Sequence, residues 1–352
     1  MRAFYCQKCN ERLFFENSFC LTCKSSLGFI PALCNISVIE PAANNTWTAL
    51  AQGAEGKIYR KCLNEQQEKA CTWMIPVDDE NAYCTSCRLN RTIPDLSLPE
   101  NNLLWRKMET SKRRLVYALL RLNLPVFPKT PQAPNGLAFD ILADHETADT
   151  VGNRILTGHT EGLITLNLSE ADDAEREKMR QTMGEVYRTP LGHFRHESGH
   201  YYWDLLVRNH PKLDAVRAIF GDERADYGQA LQHHYARGGA LPGWESQFVT
   251  PYAASHPWED WAETWAHYLH ILDTLETANA HGVQLKNADG VREMSDPYGR
   301  SFDDIREDWH ALRFVVNGLN RSMGLPDPYP FILSDQITAK LAFIHDWLAM
   351  PR

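Results

Sequence analysis

The chain has 352 residues, 43% of them hydrophobic and 23% charged, which is the makeup of an ordinary folded protein long enough for two domains and excludes a disordered one. Its net charge of −9 at pH 7 comes from 10 Lys+Arg against 11 Asp+Glu in residues 1–100 and 26 against 34 in the rest. Neither part offers the basic surface that draws nucleic acid, so the expected partners are peptides or proteins and not nucleic acid.

Met1-Arg2-Ala3-Phe4-Tyr5-Cys6 lacks the apolar core of a signal peptide, and no later run approaches the roughly 18 apolar residues that cross a bilayer. The sequence predicts a cytoplasmic protein with no membrane partner. All nine cysteines fall in the first 87 residues, six of them in three C-x-x-C pairs, and without an export signal that pattern favours metal thiolates over disulfides.

Cys6, Cys9, Cys20 and Cys23 form C-x2-C-x10-C-x2-C, two thiolate knuckles on a short hairpin, which is the spacing of a tetrahedral structural zinc ribbon. Cys84 and Cys87 make a third knuckle, and Cys62 with Cys71 can complete a second structural zinc site. The wider gap between Cys62 and Cys71 leaves room for Cys34 in place of either, or for two cysteines plus another ligand. Otherwise Cys34 reads as a small buried hydrophobe. Trp47 to Tyr59 and Trp73 to Val77 read as short strands, and the module closes near Pro94–Pro99.

Leu104, Met108, Leu115, Leu119 and Leu122 recur at helical spacing and predict a bridging helix over 101–122. Pro125, Pro128, Pro131 and Pro134 mark an extended linker to 136. The expected organisation is therefore a zinc-ribbon region over 1–100, a bridge over 101–136 and a second domain over 137–352. In that domain 137–142 and 162–168 alternate like strands, and Ser169 is placed to cap a charged helix ending near Met183.

Thr189-Pro190 then opens a helix carrying His196-Glu197-Ser198-Gly199-His200, with Thr189 as N-cap and Pro190 at the first helical position. Histidines four residues apart lie on one helix face and can offer two imidazole nitrogens to one Zn²⁺. Glu197 beside the open coordination position can take a proton from an activated water and pass it to a leaving amine. This H-E-x-x-H pattern is that of a metallopeptidase. Strand, strand, helix and then the H-E-x-x-H helix is the order of a zincin catalytic half, giving an α+β chain whose second domain is mainly helical with a small sheet.

A catalytic zinc needs a third ligand, and His256-Pro257-Trp258-Glu259-Asp260-Trp261-Ala262-Glu263 supplies two candidates one turn apart. Glu259 is the preferred ligand, with Glu263 orienting a ligand histidine from behind or serving as the third ligand instead. Glu259 and Asp260 also suit a first helical turn on dipole grounds alone. Tyr252 is placed to donate to the oxyanion of a tetrahedral intermediate, or is an ordinary half-buried tyrosine. His267 continues the Glu259–Glu263 row. The acids of 222–226 read as capping and surface charge, and adjacent His233 and His234 as solvated. Residues 278–296 read as loop, followed by helices capped by Ser301 and Ser334.

Together the two four-cysteine elements, Cys84-Thr85-Ser86-Cys87-Arg88-Leu89-Asn90-Arg91-Thr92-Ile93-Pro94, Arg195 to Asp204 and His256 to Tyr268 resemble the bacterial zinc-binding metallopeptidase family with an N-terminal zinc-ribbon region, over nearly the whole chain. The resemblance implies zinc binding and a peptide or protein substrate. The spacing of Tyr252 from the Glu259 and Glu263 pair is similar to that in some gluzincins, which supports Glu259. The expectation is three zinc ions, one catalytic and two structural, with the ribbons as a surface for a protein partner. The competing reading is a non-catalytic scaffold that binds proteins through its ribbons and holds only a structural zinc in the second domain.

Overall fold

The computed structural model describes residues 1–144, 155–287 and 290–350. Its architecture is α+β, and by contacts it divides into one unit of residues 1–156 and 165–172 and another of residues 157–164 and 173–352.

The first unit begins with the antiparallel pair β1 (Phe4–Tyr5) and β2 (Arg12–Leu13), in register Phe4 to Leu13. Each flanking knuckle closes through a left-handed residue, Asn10 (φ 57°) or Lys24 (φ 62°), whose amide bonds back to the Cys6 or Cys20 carbonyl. A five-stranded antiparallel meander follows: β3 (Leu27–Ile30), β4 (Asn35–Pro41), β5 (Trp47–Ala49), β6 (Ile58–Lys61) and, after the short helix α1 (Leu63–Glu68), β7 (Met74–Pro76). A bridge between Phe29 and Trp73 brings β3 to the residue preceding β7, and the sheet curls on itself.

Next come β8 (Asn90–Thr92), helix α2 (Pro99–Arg121) and β9 (Ala138–Leu142), with β8 and β9 parallel as a helical crossover requires. The helix expected to bridge two domains is instead core to this unit. Trp105, Met108, Leu115, Tyr117 and Leu119 on α2 are fully buried. The Tyr117 ring lies 5.5 Å from Phe15 and 6.1 Å from Phe29, and Phe29 lies 4.6 Å from Trp73, so ribbon, sheet and helix share one aromatic cluster.

The unit boundary falls between β10 (Gly158–Thr160) and the far end of β11 (Leu163–Asn167), which neighbours β9 in the sheet. Asn167, not Ser169, supplies the next cap: its side chain accepts from the Ser169 amide, a 3-10 turn covers Leu168–Ala171, and α3 (Asp173–Thr182) starts only after it.

In the second unit α4 (Pro190–Tyr202) starts as its sequence predicts, with Thr189 Oγ1 accepting from the Gly192 amide at 3.0 Å, and continues into a π-helical turn, Trp203–Val207. Helices α5 (Leu213–Phe220), α6 (Tyr227–Ala236) and α7 (Pro257–Ala280) follow. Helix α7 is the spine. It packs on α4 and α5, and on α8 (Phe302–Ser322) and α9 (Asp335–Ala349), which Ser301 and Ser334 cap. The segment expected as loop forms an exposed antiparallel hairpin, β12 (Gln284–Asn287) and β13 (Gly290–Glu293).

Tyr202 stacks on Trp265 at 5.1 Å and Trp203 meets Trp261 at 5.3 Å, filling the seam between α4 and α7. At the other side of α7 the buried Asp260 carboxylate receives Lys340 Nζ of α9 at 2.6 Å. The same ammonium donates to the Gln247 carbonyl at 2.6 Å and lies 4.3 Å from the Phe248 ring centroid. No helix among the described residues is long and apolar enough to cross a membrane.

Candidate metal centre

Helix α4 sets His196 and His200 on one face, their Nε2 atoms 3.1 Å apart. What brings carboxylates to them is the close approach of α7. Gly199 makes it possible: a Cβ there would meet the Ala262 Cα at 2.8 Å and the Trp265 Cβ at 3.2 Å. Two indoles fix the crossing, Trp261 Nε1 donating to the Gly199 carbonyl and Trp265 Nε1 to Ser198 Oγ, each at 3.0 Å.

The consequence is a three-donor cluster. Glu259 Oε2 lies 3.0 Å from His196 Nε2 and 3.4 Å from His200 Nε2. A zinc ion about 2.0–2.1 Å from each donor in tetrahedral geometry needs donors about 3.3–3.4 Å apart, so the His2Glu set fits that ion in both spacing and chemistry. Glu259 Oε2 is also buried without a hydrogen bond among the described residues, which is costly unless a cation meets it. Glu263 stands behind this cluster, its Oε1 2.5 Å from His196 Nδ1. A carboxylate there fixes the tautomer and turns Nε2 inward.

Glu197 is buried at 7% exposure, and its Oε2 has no hydrogen bond among the described residues. Burial raises its carboxyl above the ordinary value, against the pull of His196 and His200. Tyr252 lies on a 3-10 turn with its ring 6.0 Å from that of His196, and burial, with Glu259 nearby, pushes its phenol far up. The Trp258 ring packs 3.9 Å from His200 and closes that side.

Several residues of this neighbourhood have other partners than the sequence suggests. His267 Nδ1 pairs with the Tyr329 hydroxyl at 2.8 Å and not with a ligand. His234 is buried, 6.4 Å from the Tyr252 ring, while His233 is exposed, so only one of the two is solvated. Asp226 does cap α6, accepting from Gln229 at 2.8 Å. The residue after it went unread: Tyr227 Oη donates to Glu259 Oε1 at 2.7 Å. No motif marks it, because the two residues are 32 apart and meet only through tertiary packing. Arg195, paired with Asp273 in the core, carried no signal either.

The cysteines gather into two four-sulfur clusters, Cys6, Cys9, Cys20, Cys23 and Cys62, Cys71, Cys84, Cys87. Sulfurs of Cys6 and Cys23 are 3.5 Å apart, and those of Cys9 and Cys20, and of Cys71 and Cys84, 3.6 Å apart. That is far beyond a disulfide and near the roughly 3.8 Å edge of a tetrahedron about zinc. Cys9 and Cys23 are exposed, whereas the second cluster is wholly buried. Amides of Trp73, Cys84 and Cys87 donate to its sulfurs, each at 3.4 Å. Helix α2 adds Glu109, with Oε2 3.7 Å from Cys87 Sγ, Lys112, 2.6 Å from Glu109 Oε1, and Arg113, which donates to the Ala70 carbonyl at 2.5 Å. Cys34 belongs to neither cluster; its thiol donates to the Pro31 carbonyl at 3.5 Å.

A helical unit with an H-E-x-x-H face and a downstream glutamate thus shares one chain with two four-cysteine clusters. Residues 101–347 match the family model described as "putative zinc-binding metallo-peptidase" and residues 3–98 a zinc-ribbon domain model, and the chain belongs to that metallo-peptidase family. It is similar to uncharacterized proteins of Mycobacterium bovis and of two strains of Mycobacterium tuberculosis, each 40% identical over 347 residues that span 98% of this chain and 94% of the relative. No solved structure matches the chain.

Proposed function

We propose that the protein is a zinc-dependent peptide or protein hydrolase in which His196, His200 and Glu259 hold the catalytic metal and Glu197 is the general base and acid. The observation that carries this reading is the convergence of three donor atoms at tetrahedral spacing beside a buried carboxylate with an unbonded oxygen. Zinc, when bound, lowers the pKa of water and polarises a carbonyl. Glu197 takes the proton of the attacking water and returns it to the leaving amine. Its raised pKa makes it the stronger base towards that water and moves it towards the operating pH, where one group can serve both steps.

Glu263 keeps the His196 ring oriented through Nδ1. Tyr252, held protonated by burial, donates to the oxygen on which negative charge develops. Each four-cysteine cluster holds a structural zinc, for three ions per chain, and the ribbons serve as a surface for a protein partner.

Glu197→Gln tests the mechanism. The variant is expected to keep the wild-type zinc content and to lose about 10²–10⁴-fold in turnover of a peptide library. Undiminished cleavage would end the assignment. A site with the same metal content and no turnover in the wild type would favour the scaffold reading.

A further inference from the structure

The Glu259 carboxylate has two chemically equal oxygens, and the structure treats them differently. Oε2 faces the His196 and His200 nitrogens, while Oε1 accepts from the Tyr227 hydroxyl at 2.7 Å. We infer that Tyr227 is a positioning residue that makes Glu259 meet its metal through one oxygen only. The inference rests on the reading of His196, His200 and Glu259 as a metal centre.

The phenol is itself held in place. His256 caps α7 with Nδ1, which accepts from the Trp258 amide at 3.1 Å, and its Nε2 donates to the Ala225 carbonyl at 3.0 Å. One imidazole thus ties the start of α7, which carries Glu259, to the residues just before α6, which carries Tyr227. The Tyr227 ring meets His256 edge-on at 5.3 Å and Trp258 at 5.7 Å, and Asp226 caps α6 immediately before it. The hydroxyl therefore sits where two helix starts are clamped together.

Without that donor Oε1 is released. The carboxylate can then rotate to offer both oxygens to the ion, occupying space that a water and a substrate carbonyl need in an open zinc site. Loss of such a supporting hydrogen bond also weakens metal binding, typically 10–100-fold. The ring is 38% exposed, so removing its hydroxyl leaves the core intact.

Tyr227→Phe in the full chain is the test, with metal binding read directly. Brief chelation empties the three-donor site, and competition with a chromophoric chelator then measures zinc affinity on refilling. A 10–100-fold loss is expected. Refilling with Co²⁺ is expected to give weaker visible bands in the variant than in the wild type, because band intensity falls as coordination number rises. Tyr83→Phe, at an exposed residue of the first unit, serves as a control expected to change neither reading. In the wild type the infrared difference spectrum on zinc refilling should show the wide splitting of carboxylate stretches that marks one-oxygen ligation, a result independent of whether any variant folds. Wild-type affinity and spectrum in Tyr227→Phe, or narrow splitting in the wild type, would overturn the inference while leaving the metal centre in place. A zinc count unchanged in both Glu259→Gln and His200→Gln would instead remove the metal centre itself.

Discussion

The cluster of Cys62, Cys71, Cys84 and Cys87 is wholly buried and that of His196, His200 and Glu259 largely so, but they are enclosed by opposite means. Around the cysteines four sulfurs gather at the spacing of a closed tetrahedral shell. Four thiolates with a divalent ion would carry two negative charges beside the buried Glu109 carboxylate, and Lys112 and Arg113 of α2 bring two positive ones, with amides on the sulfurs. Around the histidines three candidate donors stand where four would close a tetrahedral shell, with carboxylates in excess, one of them Glu197, whose Oε2 has no hydrogen bond among the described residues. Four sulfurs that fill a shell make a fastening, whereas three donors leave room for a further molecule.

That contrast predicts unequal costs of damage. The largest is expected from Cys84→Ser. Structural zinc contributes on the order of 10 kcal/mol in small ribbons, and here its loss would also strand the buried Glu109, Lys112 and Arg113. Limited proteolysis should then cut within α2. Cys9→Ser, at the surface of the first ribbon, should leave α2 protected. Equal susceptibility of the two variants would break the contrast between fastening and surface ribbon.

Next is an acid effect confined to the histidine-bearing unit. Burial lowers the His267 pKa from 6.5 to about 4, so the folded form keeps this ring neutral while the unfolded chain protonates it. Its contribution is present in full above pH 6.5 and is lost as pH falls towards 4, roughly 3 kcal/mol from this group. Urea unfolding across that window should show the loss, and His267→Gln should have a flatter dependence on pH than the wild type. A variant that keeps the full slope would assign the acid sensitivity elsewhere.

Gly199→Ala should cost less, about 1–3 kcal/mol, because the added methyl presses on the Ala262 backbone and must part α4 from α7. Zinc at the histidines should weaken while the ribbons keep theirs. The smallest structural effect is expected from brief chelation, which should remove one zinc of three from the open site and leave α2 as resistant to proteases as before. Simultaneous loss of all three ions would erase the difference between closed and open sites.

The parts of the molecule readable from sequence are those built from neighbours along the chain. Two histidines on one turn of helix and two cysteines in one knuckle declare themselves by spacing. Glu259 and Glu263 were recognisable as a pair, yet which carboxylate faces His196 Nε2 and which takes Nδ1 depends on how α7 crosses α4, and Gly199 sets that crossing. Tyr227 and Arg195 depend wholly on partners 32 and 78 residues away. The strand pair Gln284–Asn287 and Gly290–Glu293 was hidden for another reason. It is largely exposed, so it lacks the alternation of apolar residues by which a half-buried strand is read.

The Lys340 ammonium between Asp260, the Gln247 carbonyl and the Phe248 ring also bears on when the site can be completed during synthesis. Asp260 follows Glu259 directly and waits for a counter-ion that lies 80 residues further along. At about 5–20 residues per second a ribosome needs roughly 4–16 s to add that length, during which Asp260 is without its cation. The helix carrying Glu259 is thus locked late, well after the histidines have been made. A nascent chain would therefore settle the cluster of His196, His200 and Glu259 only once Lys340 has been made, which separates the synthesis of these residues from their final arrangement.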